Sequence, residues 1–177
     1  MEAVQSFFRS FAHAARGVAV CLRRERNLRF HVAVGSYMYG FLLAFDWFRL
    51  SRTDWALLFL STALVIGAEL MNSALERAVD LASPQRHPLA KLAKDAASGA
   101  VLVCAAGAVA VGIAVLWQPA AFRAMADYYW ARPGMLAVLG ISGILAGLFV
   151  FYPKSRKSSI HPEGEGSRHD KRTPPES

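Results

Sequence analysis

The sequence predicts an all-α integral membrane protein: an N-terminal amphipathic surface helix, three core transmembrane helices and a fourth, C-terminal transmembrane helix. Two observations support this fold class. First, 54% of the 177 residues are hydrophobic and the mean hydropathy is +0.28, which is unusual for a soluble domain. Second, the apolar residues form four segments long enough to cross or nearly cross a bilayer: about Val32 to Phe48, Trp55 to Leu75, Ala96 to Trp117 and Met135 to Tyr152.

The basic residues predict the orientation of these segments. The 20 Lys and Arg residues alternate between rich and poor regions: six before the first segment, two after it, four between the second and third, two in the next loop and six in the tail. The positive-inside rule then places both termini and the loop around Pro84 in the cytoplasm. This pattern requires an even number of spans, which supports the fourth segment.

The chain divides into four predicted regions. Residues 1–31 carry apolar side chains at helical spacing with arginines on another face, which is typical of a helix lying on a membrane surface and not of a cleavable signal peptide. Residues 32–117 form the three-span core, and residues 118–153 form an outer loop and the fourth helix. Residues 154–177 are polar and rich in Pro and Gly, so we expect a disordered cytoplasmic tail.

Local motifs predict where the second apolar helix begins and ends. Ser51 and Asp54 have the spacing of a capping box, which marks a helix start. Pro84 and Pro88 break any helix after Ala82, so a loop separates the second and third spans.

The second segment carries a polar stripe. At about 100° per residue, Glu69, Asn72, Glu76 and Asp80 fall within an arc of roughly 80° and extend over about 16 Å of one helix face. A single ionised carboxylate at mid-bilayer costs about 2.5–3.5 kcal/mol on insertion scales. These side chains must therefore face a polar cavity, cations or one another.

Further charged residues lie near the same predicted membrane boundary: Glu25 before the first span, the loop residues Gln85, Arg86 and His87, and the pair Lys94 and Asp95 at the start of the third span. Magnesium takes one or two carboxylates plus substrate phosphates, and a basic side chain can hold a transferred phosphoryl group. A deep carboxylate can act as a general base. The residues needed for phosphoryl transfer at a membrane surface are therefore present, although the sequence has no P-loop, protein-kinase or dinucleotide-binding motif.

Three runs of residues resemble the prokaryotic diacylglycerol kinase family of small integral-membrane lipid kinases: Glu69 to Asp80 (ELMNSALERAVD), Pro84 to Asp95 (PQRHPLAKLAKD) and Glu25 to His31 (ERNLRFH). The resemblance covers roughly residues 10–117 and is closest to the branch that phosphorylates undecaprenol. It implies a homotrimer in the bacterial inner (plasma) membrane that uses Mg²⁺ and ATP to phosphorylate undecaprenol or diacylglycerol. Its implied partners are the membrane lipid and ATP, with no nucleic acid.

The resemblance also implies a role for each matching residue. Glu69 would be the catalytic base, and Glu25 and Glu76 would bind the magnesium that bridges the ATP phosphates. The ATP-binding residues would be Glu25, Glu76, Gln85, Arg86, His87, Lys94 and Asp95. Glu69, Asn72 and Ser98 would lie against the lipid, and Asp80 would be a supporting residue of the same site. Unlike the shorter members of the family, this chain continues for sixty residues after the third span.

Two other classes of function also place carboxylates at membrane depth. A transporter would predict inverted repeats, but the first two spans have no obvious copy in the last two. A noncatalytic subunit held together by its polar stripe would explain Asn72 but not the grouping of Glu25, Glu76, Lys94 and Asp95. The sequence favours the lipid kinase and leaves open both the choice between the two lipids and the role of the fourth segment.

Overall fold

The computed structural model describes the backbone of residues 2–152 and the side chains of residues 4–152, and this part of the chain is helical without strands. The predicted disorder of residues 154–177 lies outside the described residues. Residues 2–152 form six helices: α1 (Glu2–Arg24), α2 (Arg26–Ala44), α3 (Arg52–Ala82), α4 (Pro88–Leu116), α5 (Pro119–Trp130) and α6 (Pro133–Phe151). The all-α fold class is therefore confirmed.

The two long helices α3 and α4 form the centre of the structure and pack along each other. The capping box at the start of α3 is confirmed: the Asp54 backbone N–H donates to Ser51 Oγ at 3.2 Å, and the Ser51 N–H donates to Asp54 Oδ2 at 2.8 Å. The helix ends at Ala82 as predicted, and Pro88 occupies the first turn of α4, where its missing N–H costs nothing. The five-residue turn between them brings the end of α3 against the start of α4.

Among residues 2–152, three helices are long and apolar enough to cross a membrane, namely α3, α4 and α6. The C-terminal apolar segment is thus a helix of spanning length, Pro133–Phe151. The first predicted span lies in α2, which ends at Ala44 rather than Phe48 and carries Arg26, Arg29 and His31 in its first two turns. Its passage through the membrane stays a prediction.

Two features of the helical layout differ from the sequence expectation. The N-terminal helix ends at Arg24 rather than at residue 31, because the backbone of Glu25 is extended, with φ −98° and ψ 117°. The region after α4, expected to be a loop, contains α5. Helix α5 is tied to the α2–α3 connection through Gln118, whose side chain accepts from the Arg49 N–H at 3.0 Å and donates to the Arg49 carbonyl at 3.1 Å.

Helix α6 returns along α2, so the described chain ends beside the α1–α2 junction. The apolar side of α1, including Phe7, Phe8 and Phe11, is exposed, as are most large apolar side chains on the outer faces of α4 and α6. Exposed apolar surface of this extent is typical of a protein surrounded by lipid.

Candidate functional site

The polar stripe of α3 faces the interior of the helix cluster. Glu69 is only 3% exposed and Ser73 is equally buried, while Asn72 and Glu76 are half-buried. The side-chain amide of Asn72 donates to Glu76 Oε1 at 2.9 Å, which links two members of the stripe one helical turn apart. Asp80, the last member, is exposed at the end of the helix.

His31 of α2 completes the deep end of this stripe. Its Nε2 atom lies 3.4 Å from Glu69 Oε1. Two buried acceptors here, Glu69 Oε1 and Asn72 Oδ1, have no hydrogen-bond partner within the part of the chain that the structure describes. Buried acceptors of this kind are costly unless a donor satisfies them, so this position is suited to receive a hydroxyl group or a cation. Sequence reasoning gave His31 no role, although it is a polar residue at the edge of the first apolar segment.

Glu25 lies at the break between α1 and α2 and reaches α3 through an ion pair. Its Oε1 atom is 3.0 Å from Arg77 Nη2, and Arg77 Nη1 also donates to the buried Cys21 Sγ at 3.4 Å. Glu25 and Glu76 are close enough to Glu69 for their negative charges to repel it. Two carboxylates of α3 and one from the α1–α2 junction therefore lie close enough to interact electrostatically.

A second feature of the site is the loop cavity, an open cavity of about 540 Å³ at the α3–α4 turn. Its polar lining comprises Asp80, Ser83, Gln85, Arg86, His87, Lys91 and Lys94. Lys94 is ion-paired with Asp80 across the cavity. The His87 imidazole Nδ1 accepts from the Leu89 N–H at 3.2 Å and caps the start of α4. A helix N-terminus flanked by Arg86 and Lys91 favours an anionic ligand such as a polyphosphate.

The third feature is an apolar groove of about 410 Å³ between α2, α3 and α4. It is lined by Phe30, His31, Val34, Gly35, Met38, Leu58, Ser61, Thr62, Val65, Ile66, Ala105, Ala108, Val109 and Gly112. His31 stands at one end and Leu58 lies about 16 Å of helix away from Glu69, from the 1.5 Å rise per residue. The groove can therefore hold a hydrocarbon chain whose polar end reaches His31 and Glu69.

The model of the prokaryotic diacylglycerol kinase family matches residues 12–116. The chain belongs to the prokaryotic diacylglycerol kinase family. It is 42% identical over 111 residues to the undecaprenol kinase of Bacillus subtilis (strain 168), which covers 62% of this chain and 86% of that protein. It is 41% identical over 111 residues to the diacylglycerol kinase of a Synechocystis species, and the match covers 62% of this chain and 62% of that protein. It is 37% identical over 72 residues to the diacylglycerol kinase of Escherichia coli K12, and that match covers 41% of this chain and 59% of that protein.

Membership of this family makes the chain a membrane-bound lipid kinase rather than a transporter or a noncatalytic subunit. The matched residues span α1 to α4 and include the polar stripe, the loop cavity and the apolar groove. Helices α5 and α6 lie outside the match.

Two residues that the kinase resemblance placed in the site are not brought into it by the described contacts. Asp95 and Ser98 are exposed on α4 and do not line the loop cavity. Across residues 4–152, neither side chain forms a hydrogen bond or ion pair. Their expected roles toward ATP and lipid stay predictions, as do the roles of Gln85, Arg86 and His87, although these three do line the cavity.

Proposed function

We propose that this kinase transfers the γ-phosphoryl group of ATP to the hydroxyl of undecaprenol or diacylglycerol, with magnesium, and with Glu69 as the general base. The observation that supports the proposal is the buried carboxylate of Glu69, which lies beside His31 at the end of an apolar groove and whose Oε1 atom has no hydrogen-bond partner among residues 4–152. In the reaction, Glu69 accepts the hydroxyl proton, the lipid oxygen bonds to the γ-phosphorus, and the bond from that phosphorus to the leaving oxygen of ADP breaks.

The groove supports a lipid substrate. Its lining is almost entirely apolar, and its one strongly polar end is His31. A lipid alcohol lying there buries its hydrocarbon while its single O–H supplies the donor that Glu69 Oε1 lacks within residues 4–152. Asn72 would then lie beside the hydroxyl, with Ser98 as a further lipid contact.

The loop cavity supports ATP as the phosphoryl donor. It combines the N-terminus of α4 with Arg86, Lys91 and Lys94, and about 540 Å³ is room for a nucleotide. Gln85 and His87 supply polar contacts at its rim, and Asp95 would join the phosphates from the next turn of α4. Asp80 would support the site by holding Lys94.

Magnesium fits the acidic side of the site. Within residues 4–152, no three His, Cys, Asp or Glu side chains form a metal-binding group, but magnesium needs only one or two protein carboxylates when phosphates supply further oxygens. The negative charges of Glu25 and Glu76 repel the carboxylate of Glu69, and a bound cation would reduce that repulsion. When bound, the metal neutralises charge on the phosphates. Glu25 and Glu76 would hold it, while Arg77 and Asn72 hold these carboxylates in its absence.

The experiment is a phosphoryl-transfer assay on purified protein in lipid nanodiscs with magnesium and labelled ATP, run side by side on undecaprenol and diacylglycerol. Relatives with each name match this chain at nearly equal identity, 42% and 41%, and both lipids carry a primary hydroxyl. Label should appear on one or both lipids, and Glu69→Gln should abolish transfer. The matched control Asp127→Asn changes an exposed carboxylate on α5 and should leave transfer intact. Normal turnover by Glu69→Gln would refute the base assignment.

We also propose that the enzyme is a homotrimer in the bacterial inner membrane with both termini in the cytoplasm. The alternation of basic residues supports the orientation, and the exposed apolar faces of α3 and α4 leave room for subunit contacts. The mass of the protein in nanodiscs tests the trimer. Labelling of single cysteines placed near residue 5 and in the α3–α4 turn, from either side of the membrane, tests the orientation.

A further inference from the structure

Arg29 is a buried arginine that the proposed reaction does not use. It is 8% exposed, and its guanidinium bonds to backbone carbonyls rather than to a carboxylate. Nε and Nη2 donate to the Val150 carbonyl at 3.1 and 2.9 Å, and Nη1 donates to the Arg23 carbonyl at 3.1 Å. Burial of a charged group in this way requires that its donors be satisfied, and here two carbonyls take three donors.

Both carbonyls belong to the last turn of a helix. Arg23 is the second-last residue of α1, and Val150 is the second-last residue of α6. Carbonyls in the last turn of a helix lack partners within it and lie at the negative end of the helix dipole. The guanidinium of Arg29 therefore caps two helix ends at once and joins α6 to the α1–α2 junction. The guanidinium of Arg26 adds a second contact at this place, 5.9 Å from the centre of the Phe151 ring.

The junction that Arg29 holds contains Glu25. The Arg29 backbone N–H donates to the Glu25 carbonyl at 3.3 Å, while the Arg29 side chain holds the Arg23 carbonyl on the other side of Glu25. Glu25 is the extended residue that separates the two helices: its N–H donates to the Cys21 carbonyl at 2.8 Å and its side chain does not cap α2. The Arg29 side chain adds a restraint from outside these two helices, because it anchors the junction to α6.

We propose that Arg29 is a positioning residue that fixes Glu25 for magnesium binding by fastening the α1–α2 junction to the C-terminal end of α6. The inference rests on the proposed role of Glu25 as a magnesium ligand. Helix α6 lies outside the family match, and in this proposal it contributes to the kinase site by holding the α1–α2 junction in place.

The fastening itself is tested without reference to catalysis. Amide hydrogen exchange is measured on the full chain in lipid nanodiscs for the wild type, Arg29→Gln and the control Arg24→Gln, which makes the same charge change at an exposed arginine beside Glu25. Arg29→Gln should speed exchange at residues 25–29 and 150–152, and Arg24→Gln should not. Unchanged exchange in Arg29→Gln would overturn the proposal whatever the reaction is.

The coupling to Glu25 is tested by magnesium titration of the kinase activity. Arg29→Gln should raise the half-saturating magnesium concentration by roughly tenfold, as loss of a residue supporting a metal ligand usually does, while kcat at saturating magnesium changes by less than about twofold. Arg29→Lys should fall between Arg29→Gln and the wild type, because an ammonium keeps the charge but cannot span both carbonyls. If Arg29→Gln does not fold, Arg29→Lys carries the titration.

A double mutant separates this inference from the proposed function. Glu25→Gln should raise the magnesium requirement, and adding Arg29→Gln should raise it no further, since both changes act on the same ligand. Faster exchange in Arg29→Gln with an unchanged magnesium requirement, while Glu25→Gln raises it, would overturn the positioning role and leave the proposed function standing. A Glu25→Gln variant with normal magnesium dependence would remove the ligand role and this inference with it.

Discussion

His31 Nε2 lies 3.4 Å from Glu69 Oε1, so α2 and α3 make a polar contact at the buried end of the polar stripe. The contact lies where the apolar groove ends, and the carboxylate next to His31 is the one proposed as the base. A neighbouring imidazole can orient that carboxylate toward the lipid hydroxyl. The first prediction concerns this contact.

Replacing His31 with Asn should lower kcat by roughly tenfold, about 1.4 kcal/mol of transition-state stabilisation, because Glu69 loses its orienting neighbour. The KM for ATP should not change, since His31 does not line the loop cavity. Steady-state kinetics on both lipids measure the effect, and His13→Asn on the exposed side of α1 is the control. A rise in the KM for ATP with normal kcat would contradict the assignment.

Gly112 offers a way to fill the apolar groove without disturbing the helices. It lines the groove, and a Cβ added there would meet no atom within 4 Å. Gly112→Leu should therefore raise the KM for a long-chain lipid while leaving the KM for ATP unchanged. Gly107→Leu is the matched control on the same helix, because its Cβ also meets nothing within 4 Å and it lies outside the groove. Equal effects of the two substitutions on the lipid KM would rule out the groove as the lipid site.

Arg86 tests the loop cavity. Arg86→Gln removes a cation beside the start of α4, and loss of one charged hydrogen bond to phosphate costs about 1.5–3 kcal/mol. The KM for ATP should rise by roughly tenfold or more, with the lipid KM unchanged. Arg123→Gln on α5 makes the same charge change outside the cavity and should have no effect. Initial rates at varied ATP concentration give the KM of both variants. A normal KM for ATP in Arg86→Gln would exclude this residue from the site.

The ion pair between Arg77 and Glu25 is half-exposed, so its contribution to stability should be small. Arg77→Gln should change the free energy of unfolding by less than about 1 kcal/mol, which is the usual limit for such pairs. The same variant should lower the magnesium concentration needed for activity, because Glu25 no longer shares its charge with a guanidinium. Thermal unfolding and magnesium titration measure the two effects. An increased magnesium requirement would show that Arg77 holds Glu25 for the metal instead of competing with it.

Local sequence motifs predicted the limits of α3 and α4 because the features that set them are local. Ser51 and Asp54 satisfy each other across one turn, and Pro88 fixes the start of α4 by its own geometry. The break at Glu25 was missed because neither Gly nor Pro marks it; its extended backbone is supported by Arg29, which draws on a carbonyl 121 residues away. Helix α5 was missed although Pro119 marks its first turn; the hydrogen bonds of Gln118 to Arg49, which hold α5 to the α2–α3 connection, could not be read from the sequence.

The polar stripe was predictable because its four members repeat along one helix, and the structure buries Glu69 within it. The contact of His31 with Glu69 was not, because helical periodicity orders residues within α3 and says nothing about which residue of α2 faces them. The groove likewise depends on how α2, α3 and α4 lie together. Asp95 and Ser98 show the converse: a motif position is readable from sequence, but the contacts of its side chain are not.

The return of α6 along α2 has a practical consequence for anyone handling the enzyme. Tyr152 leaves the last described helix next to the short connection between the first two helices, at the end of the bundle where nucleotide would enter. A reporter or affinity handle joined directly there would crowd that entrance, whereas an insertion in the Ala131–Arg132 turn, at the opposite end of the last helix, would stand clear of it.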